Sequence, residues 1–144
     1  MRGRAILILR LMLGVIFLYA AYTKLKESYL LFAMSIDSYQ ILPPEAVLGV
    51  ARTLPWVELA IGLWLLAGWR TGVAAVASTA ILGAFFAIMA FTYGRGVGID
   101  CGCFGLGEAM TWKTLVRDGT LVGASALLAV LFWGHSAQHR PYNP

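Results

Sequence analysis

The sequence predicts an all-α integral membrane protein: a bundle of four transmembrane helices, with a short interfacial helix between the first and the second. Three observations carry that expectation. Of 144 residues, 60% are hydrophobic and only 12% are charged, where soluble domains carry about 25% charged residues. Four segments reach the length of about 18 largely apolar residues that crossing hydrocarbon requires. Such runs are far longer than barrel strands, and a bilayer admits only helices or closed barrels, because no water is present to satisfy the backbone. The length suits one domain spanning 1–144.

The first helix is expected at about 5–25, behind the basic lead Met1-Arg2-Gly3-Arg4. That lead and the small pair Ala20-Ala21 also fit a secretory signal. The apolar stretch exceeds a signal core of about 7–15 residues, and Lys24 and Lys26 follow it directly, so it reads as a retained helix. Tyr29, Phe32, Ala33 and Ile36, with Tyr39 or Gln40, repeat at helical spacing up to Leu42, while Ser35, Asp37 and Ser38 fall elsewhere. This is the pattern of a short helix lying in the interface, closed by Pro43-Pro44.

The second helix is expected at about 44–69, opened by Pro44, whose missing N–H costs nothing at a first position. Pro55 inside it should kink it. The third is expected at about 72–93, with Ala77, Ala80, Ala84 and Ala87 forming a packing stripe. The fourth is expected at about 112–134, with Gly119 and Gly123 doing the same. A glycine-rich loop, 94–111, joins the last two.

Four crossings put both termini on one side, together with Arg2, Arg4, Arg10, Arg70 and Arg140 and no acid. The other side takes Lys24, Lys26, Arg52, Arg95, Lys113 and Arg117 and every acidic residue: Glu27, Asp37, Glu45, Glu58, Asp100, Glu108 and Asp118. Basic residues are nearly balanced, so the arginine-rich first helix decides, and it favours cytoplasmic termini with the loop facing outward. The net charge of +4 comes without a basic stripe or aromatic–basic interleaving. It speaks for membrane topology and against nucleic-acid binding.

Cys101 and Cys103 are the only cysteines, separated by Gly102 in that loop. As a structural staple the pair is weak: closing about 3 residues is worth roughly 1.6 kcal/mol, against roughly 3 for about 15. Gly102 permits the tight backbone that brings the sulfurs together, near the top of the Cα separation of about 4.4–6.8 Å that disulfides accept. A ring so small is strained and prone to exchange, and outside the cytoplasm disulfides form and persist. Arg95, Lys113 or Arg117 could favour a thiolate, which Asp100 opposes. Two alternatives stand beside this redox pair. The cysteines could be inert thiols, or they could bind a soft ion such as Cu(I) with Met110. Zinc would need two further ligands, and His135 and His139 fall on the other side, in what reads as a solvated tail.

Glu58 is an acid in an apolar helix, a costly placement that calls for a partner or a cavity. Arg52 lies six residues before it, off the 3–4 spacing of helical neighbours, so Lys24 is the expected cross-helix partner. The plain reading is a structural ion pair. The sharper one is a proton-handling group beside a redox site, since disulfide chemistry moves protons with electrons. Trp56, Trp112 and Tyr29 fit an interfacial aromatic belt, although Trp56, beside Pro55, could also wall a small-molecule pocket. Arg117-Asp118 reads as a boundary pair able to close over the Cys loop.

The chain resembles a known family. Arg10-Leu11, Leu13-Gly14, Phe17-Leu18 and Lys24-Leu25 look like the first-helix signature of the DoxX superfamily. Leu54-Pro55-Trp56, Glu58, Gly62, Leu65 and Gly68 resemble its second-helix pattern. Asp100-Cys101-Gly102-Cys103-Phe104-Gly105, then Trp112 and Arg117, resemble the MauE branch of methylamine-utilisation membrane proteins, which Tyr39-Gln40-Ile41-Leu42-Pro43 also fits. The resemblance implies four membrane helices and a redox-associated role outside the cytoplasm. It also implies a bacterial inner-membrane location with the Cys loop toward the periplasm. MauE proteins are linked to maturation of a disulfide-rich dehydrogenase beside a thioredoxin-like partner, which makes Cys101 and Cys103 the redox pair. Glu58 and Lys24 match family positions without an established role.

The expected function is thiol–disulfide exchange between a thioredoxin-like extracytoplasmic protein and the membrane. A redox-active disulfide would carry the electrons, which would pass to a quinone held near Trp56, Glu58 and Lys24. Quinone-linked disulfide generators are also four-helix proteins, an analogy of architecture alone. The rivals are a soft-metal module of Cys101, Cys103 and Met110, and a non-catalytic scaffold that docks a maturation factor.

Overall fold

The computed structural model describes residues 1–99, 101 and 107–138, the last four as backbone only. Asp100, Cys103 and His139, and the side chain of His135, lie outside the described residues. The order is α1 (Arg2–Lys26), α2 (Tyr29–Asp37), α3 (Pro44–Ala67), α4 (Thr71–Gly94) and α5 (Trp112–Gln138). All but α2 are long and apolar enough to cross a membrane. This is the expected all-α architecture.

The ends follow local chemistry. Ser28 caps α2, its Oγ accepting from the Leu30 N–H at 3.3 Å. α2 stops at Asp37, earlier than the apolar spacing suggested. There the Ser38 hydroxyl donates to the Ser35 carbonyl at 2.6 Å, and Gln40 turns the chain with φ +52°. Pro44 opens α3 as expected, and the helix runs on through Pro55. Gly68 ends α3 with φ +76°, its N–H donating to Trp64 O at 3.1 Å, a left-handed cap that glycine adopts without a Cβ penalty. A Cβ there would also lie 2.1 Å from Nη1 of Arg10.

α1 packs most extensively on α3, and α4 on α5, while α1 also meets α5 and α2 lies on α3. The core is Leu13 and Phe17 of α1, Ile61 and Leu65 of α3, Ala74 and Ala75 of α4, and Leu128 of α5. The α1–α3 seam is close because it pairs glycines: a Cβ on Gly62 would sit 3.0 Å from the Gly14 carbonyl. On α4 the small residues that face inward are Gly72, Ala74, Ala75 and Ser78. The expected stripe is corrected here: Ala80, Ala84 and Ala87 are exposed, and no neighbour lies within 4 Å of a Cβ built at Gly123. α4 is apolar all round, so composition alone could not select the inward face.

Leu7, Ile8, Leu63, Val73, Val76 and Val130 are among many exposed large hydrophobic side chains. Lipid, not water, is the solvent such a surface fits. α2 also differs from a simple amphipathic helix. Phe32 and Ala33 pack on Val47 and Ala51 of α3, while Leu30, Leu31 and Met34 face outward.

Candidate functional site

After α4 the chain turns at Gly96 with φ +71° and doubles back on itself. The Cys101 N–H donates to Glu108 O at 2.7 Å, and the Met110 N–H donates to Ile99 O at 2.9 Å. This pairing pins Cys101 against the ends of α4 and α5. The Tyr39 hydroxyl, just past α2, adds a third hold by donating to Cys101 O at 2.8 Å.

Cys101 is only 4% exposed and forms a buried cluster with Met89 and Met110. The doubled-back chain carries this loop cysteine inward. Its Sγ lies 3.3 Å from Met89 Sδ and 3.9 Å from Asp118 Oδ2. Nη2 of Arg117 approaches the sulfur at 4.0 Å. Arg117 also pairs with Asp118 through Nε to Oδ1 at 3.0 Å, and with Glu108 through Nη1. The boundary pair of α5 therefore does close over Cys101. The other basic candidates lie elsewhere, Arg95 over the Phe91 ring and Lys113 over the Trp112 ring.

Lys24 and Glu58 form the expected cross-helix ion pair. Lys24 Nζ is 3.1 Å from each carboxylate oxygen of Glu58, and both side chains are buried. Lys24 also lies 5.6 Å from the centroid of the Phe32 ring. A small cavity of about 40 Å³ lies beside this pair and reaches Met89 and Asp118, the neighbours of Cys101 Sγ. Its polar lining is Lys24, Glu58 and Asp118; the rest is apolar, including Phe17, Phe85 and Met89. Trp56 does not line it and is 60% exposed, as an interfacial aromatic would be.

Cys101 and Met110 thus come together, Lys24 and Glu58 come together, and one cavity spans between them. Cys103 falls outside the described residues. Among the described residues, no group of three or more His, Cys, Asp or Glu could hold a metal ion. Sequence reasoning missed Met89 and Glu108. Met89 lies inside an apolar helix and looks like ordinary core, and Glu108 reaches Arg117 only because the loop folds back.

The model of the family described as "Methylamine utilisation protein MauE" matches residues 2–133. The chain belongs to the MauE family. Two curated MauE relatives, each named "Methylamine utilization protein MauE", agree with it. The protein of Paracoccus denitrificans is 34% identical over 84% of this chain and 66% of its own length. That of Paracoccus versutus is 35% identical over 83% of this chain and 68% of its own. The chain thus spans about two thirds of the length of these relatives. No solved structure matches. Cys101, Lys24, Glu58 and Asp118 all lie within the MauE match.

Proposed function

We propose that this MauE-family protein is a membrane thiol–disulfide oxidoreductase that serves the maturation of extracytoplasmic disulfide proteins, in methylamine utilisation as in the relatives' names. One observation carries the reading: a buried cysteine sulfur set between the carboxylate of Asp118 and the guanidinium of Arg117. Asp118 can take the thiol proton, and Arg117 can hold the charge of the thiolate, the species that exchanges. Glu108 and Asp118 hold Arg117 in place.

The reaction is a dithiol–disulfide swap. A thiolate of a thioredoxin-like partner attacks the Cys101–Cys103 disulfide and forms a mixed disulfide. The partner's second thiolate then displaces this protein's sulfur. The partner leaves oxidised, Cys101 and Cys103 leave as thiols, and two electrons have entered the membrane protein. Because Cys101 is buried, Cys103 is the sulfur assigned to meet the partner, and Cys101 is the inner one. The loop faces the periplasm in this reading, with both termini cytoplasmic.

Trapping tests the assignment. Cys101→Ser protein, incubated with a thioredoxin-like domain carrying a mixed-disulfide reagent, should accumulate a covalent complex through Cys103, and Cys103→Ser protein should not. Equal trapping by both variants overturns the assignment. Trapping by neither, with the double variant retaining full activity, overturns the reading in favour of a scaffold.

One contact favours a second reading. Cys101 Sγ, Met89 Sδ at 3.3 Å and Met110 in the same buried cluster form a soft donor set, which suits Cu(I). Copper retained through purification at one ion per chain, and lost in Met89→Leu, would favour it.

A further inference from the structure

We infer that Arg10, with Arg70 and Trp69, holds the phosphate of an anionic phospholipid where α1 meets the turn between α3 and α4. This place lies at the far end of α4 from Cys101, and it stands apart from the exchange chemistry.

Arg10 is a cation for which its surroundings supply no acid. No Asp or Glu occurs in 1–26, 59–99 or 119–144, the stretches that build this end of the bundle. Nor is Arg10 simply bathed in solvent, because it is half-buried. A Cβ on Gly68 would lie 2.1 Å from its Nη1 and 2.8 Å from its Cζ, so the guanidinium rests against the end of α3. Its Nε is buried with no hydrogen-bond partner among the described residues. Trp64, one turn before Gly68, has its Nε1 buried and unpartnered in the same way. The carbonyl end of α3 offsets part of the charge, the equivalent of about half an elementary charge. A whole guanidinium in a chain standing in lipid calls for a fuller counter-charge.

The surroundings point to the kind of anion. Trp69 and Arg70 follow Gly68 directly and are both exposed, with the Arg70 guanidinium 5.8 Å from the Trp69 ring centroid. Two arginines therefore flank one turn. Leu7, Leu11 and Leu63, near neighbours of Arg10 and Trp64 along their helices, are also exposed, so apolar surface borders the charge. Guanidinium matches phosphate through parallel N–H···O bonds. Tryptophan is at home at headgroup level, and basic pockets between membrane helices take anionic headgroups. An inorganic phosphate ion would use the same donors but would leave the apolar border uncovered.

The test counts lipids. The full chain is purified in detergent, given equal amounts of dioleoylphosphatidylglycerol and dioleoylphosphatidylcholine, and weighed intact by native mass spectrometry. One phosphatidylglycerol per chain is expected, retained at least tenfold better than phosphatidylcholine. Arg10→Gln should abolish that preference, and Arg70→Gln, a change at an exposed position, should weaken it at least threefold. Arg4→Gln removes the same charge from the same end, at another exposed position, and should leave the preference within twofold. Equal retention of the two lipids overturns the inference. So does a loss in Arg4→Gln as large as in Arg10→Gln, since net charge alone would then explain binding. Should Arg10→Gln fail to fold, Arg70→Gln decides, and an unchanged preference there overturns the inference. In a second arm inorganic phosphate competes with the lipid. Phosphatidylglycerol should stay bound; its displacement by phosphate at equal concentration would mark a site for the free ion and overturn the lipid assignment.

Discussion

Asp118 and Arg117 bring opposite charges to the same sulfur, at 3.9 and 4.0 Å, and in the proposed exchange the first would accept the proton and the second would hold the thiolate's charge. Asp118→Asn keeps the shape and the hydrogen bond to Arg117 but cannot accept a proton. The rate of exchange should fall by about 100-fold or more, the usual range for loss of a general base, as measured by stopped-flow reaction with a small disulfide. A rate within a fewfold of wild type would remove Asp118 from the chemistry. The cysteine pair was legible from its spacing alone, since two thiols in so small a loop make a poor staple. Its surroundings were not. Asp118 is the neighbour of Arg117 in sequence, but nothing in sequence places either of them 3.9 to 4.0 Å from Cys101 Sγ.

Just past α2, the Tyr39 hydroxyl donates to the Cys101 carbonyl of the loop after α4. Tyr39→Phe removes that hydrogen bond, and losing one such bond costs about 1 kcal/mol. The expected outcome is faster amide exchange at residues 99–101 with the melting temperature almost unchanged. The α1–α3 seam behaves differently, because Gly62 faces the Gly14 carbonyl at closest approach. Gly62→Leu forces the helices apart, and overpacking of this kind costs about 1–3 kcal/mol, visible as a lower unfolding midpoint in detergent titration. The element boundaries were largely readable, because Pro44 and Gly68 punctuate α3. The inward face of α4 was not readable, because a helix with apolar residues on every side gives no direction.

The Lys24–Glu58 pair ties α1 to α3 in the half of the bundle that carries the cysteine. Breaking one partner leaves a buried charge, a loss of about 3–5 kcal/mol, whereas replacing both with apolar residues is often neutral. Glu58→Leu should therefore lower thermal stability sharply, and Lys24→Met/Glu58→Leu should recover most of it. If the double variant is as unstable as the single, the pair is not what matters at this seam.

Composition and run length alone determined a helical membrane protein with four crossings, because transfer into lipid depends on summed apolar surface and on backbone satisfaction within each segment. The Lys24–Glu58 partnership was also readable, since buried charge demands a partner. Only tertiary structure decided that Cys101 lies inward, that Met89, Asp118 and Arg117 surround its sulfur, and that a cavity runs from there to Lys24. Those relations depend on how helices rotate and where a loop folds back. Helix rotation is set by side-chain packing between segments far apart in the chain, a contest that local sequence does not record.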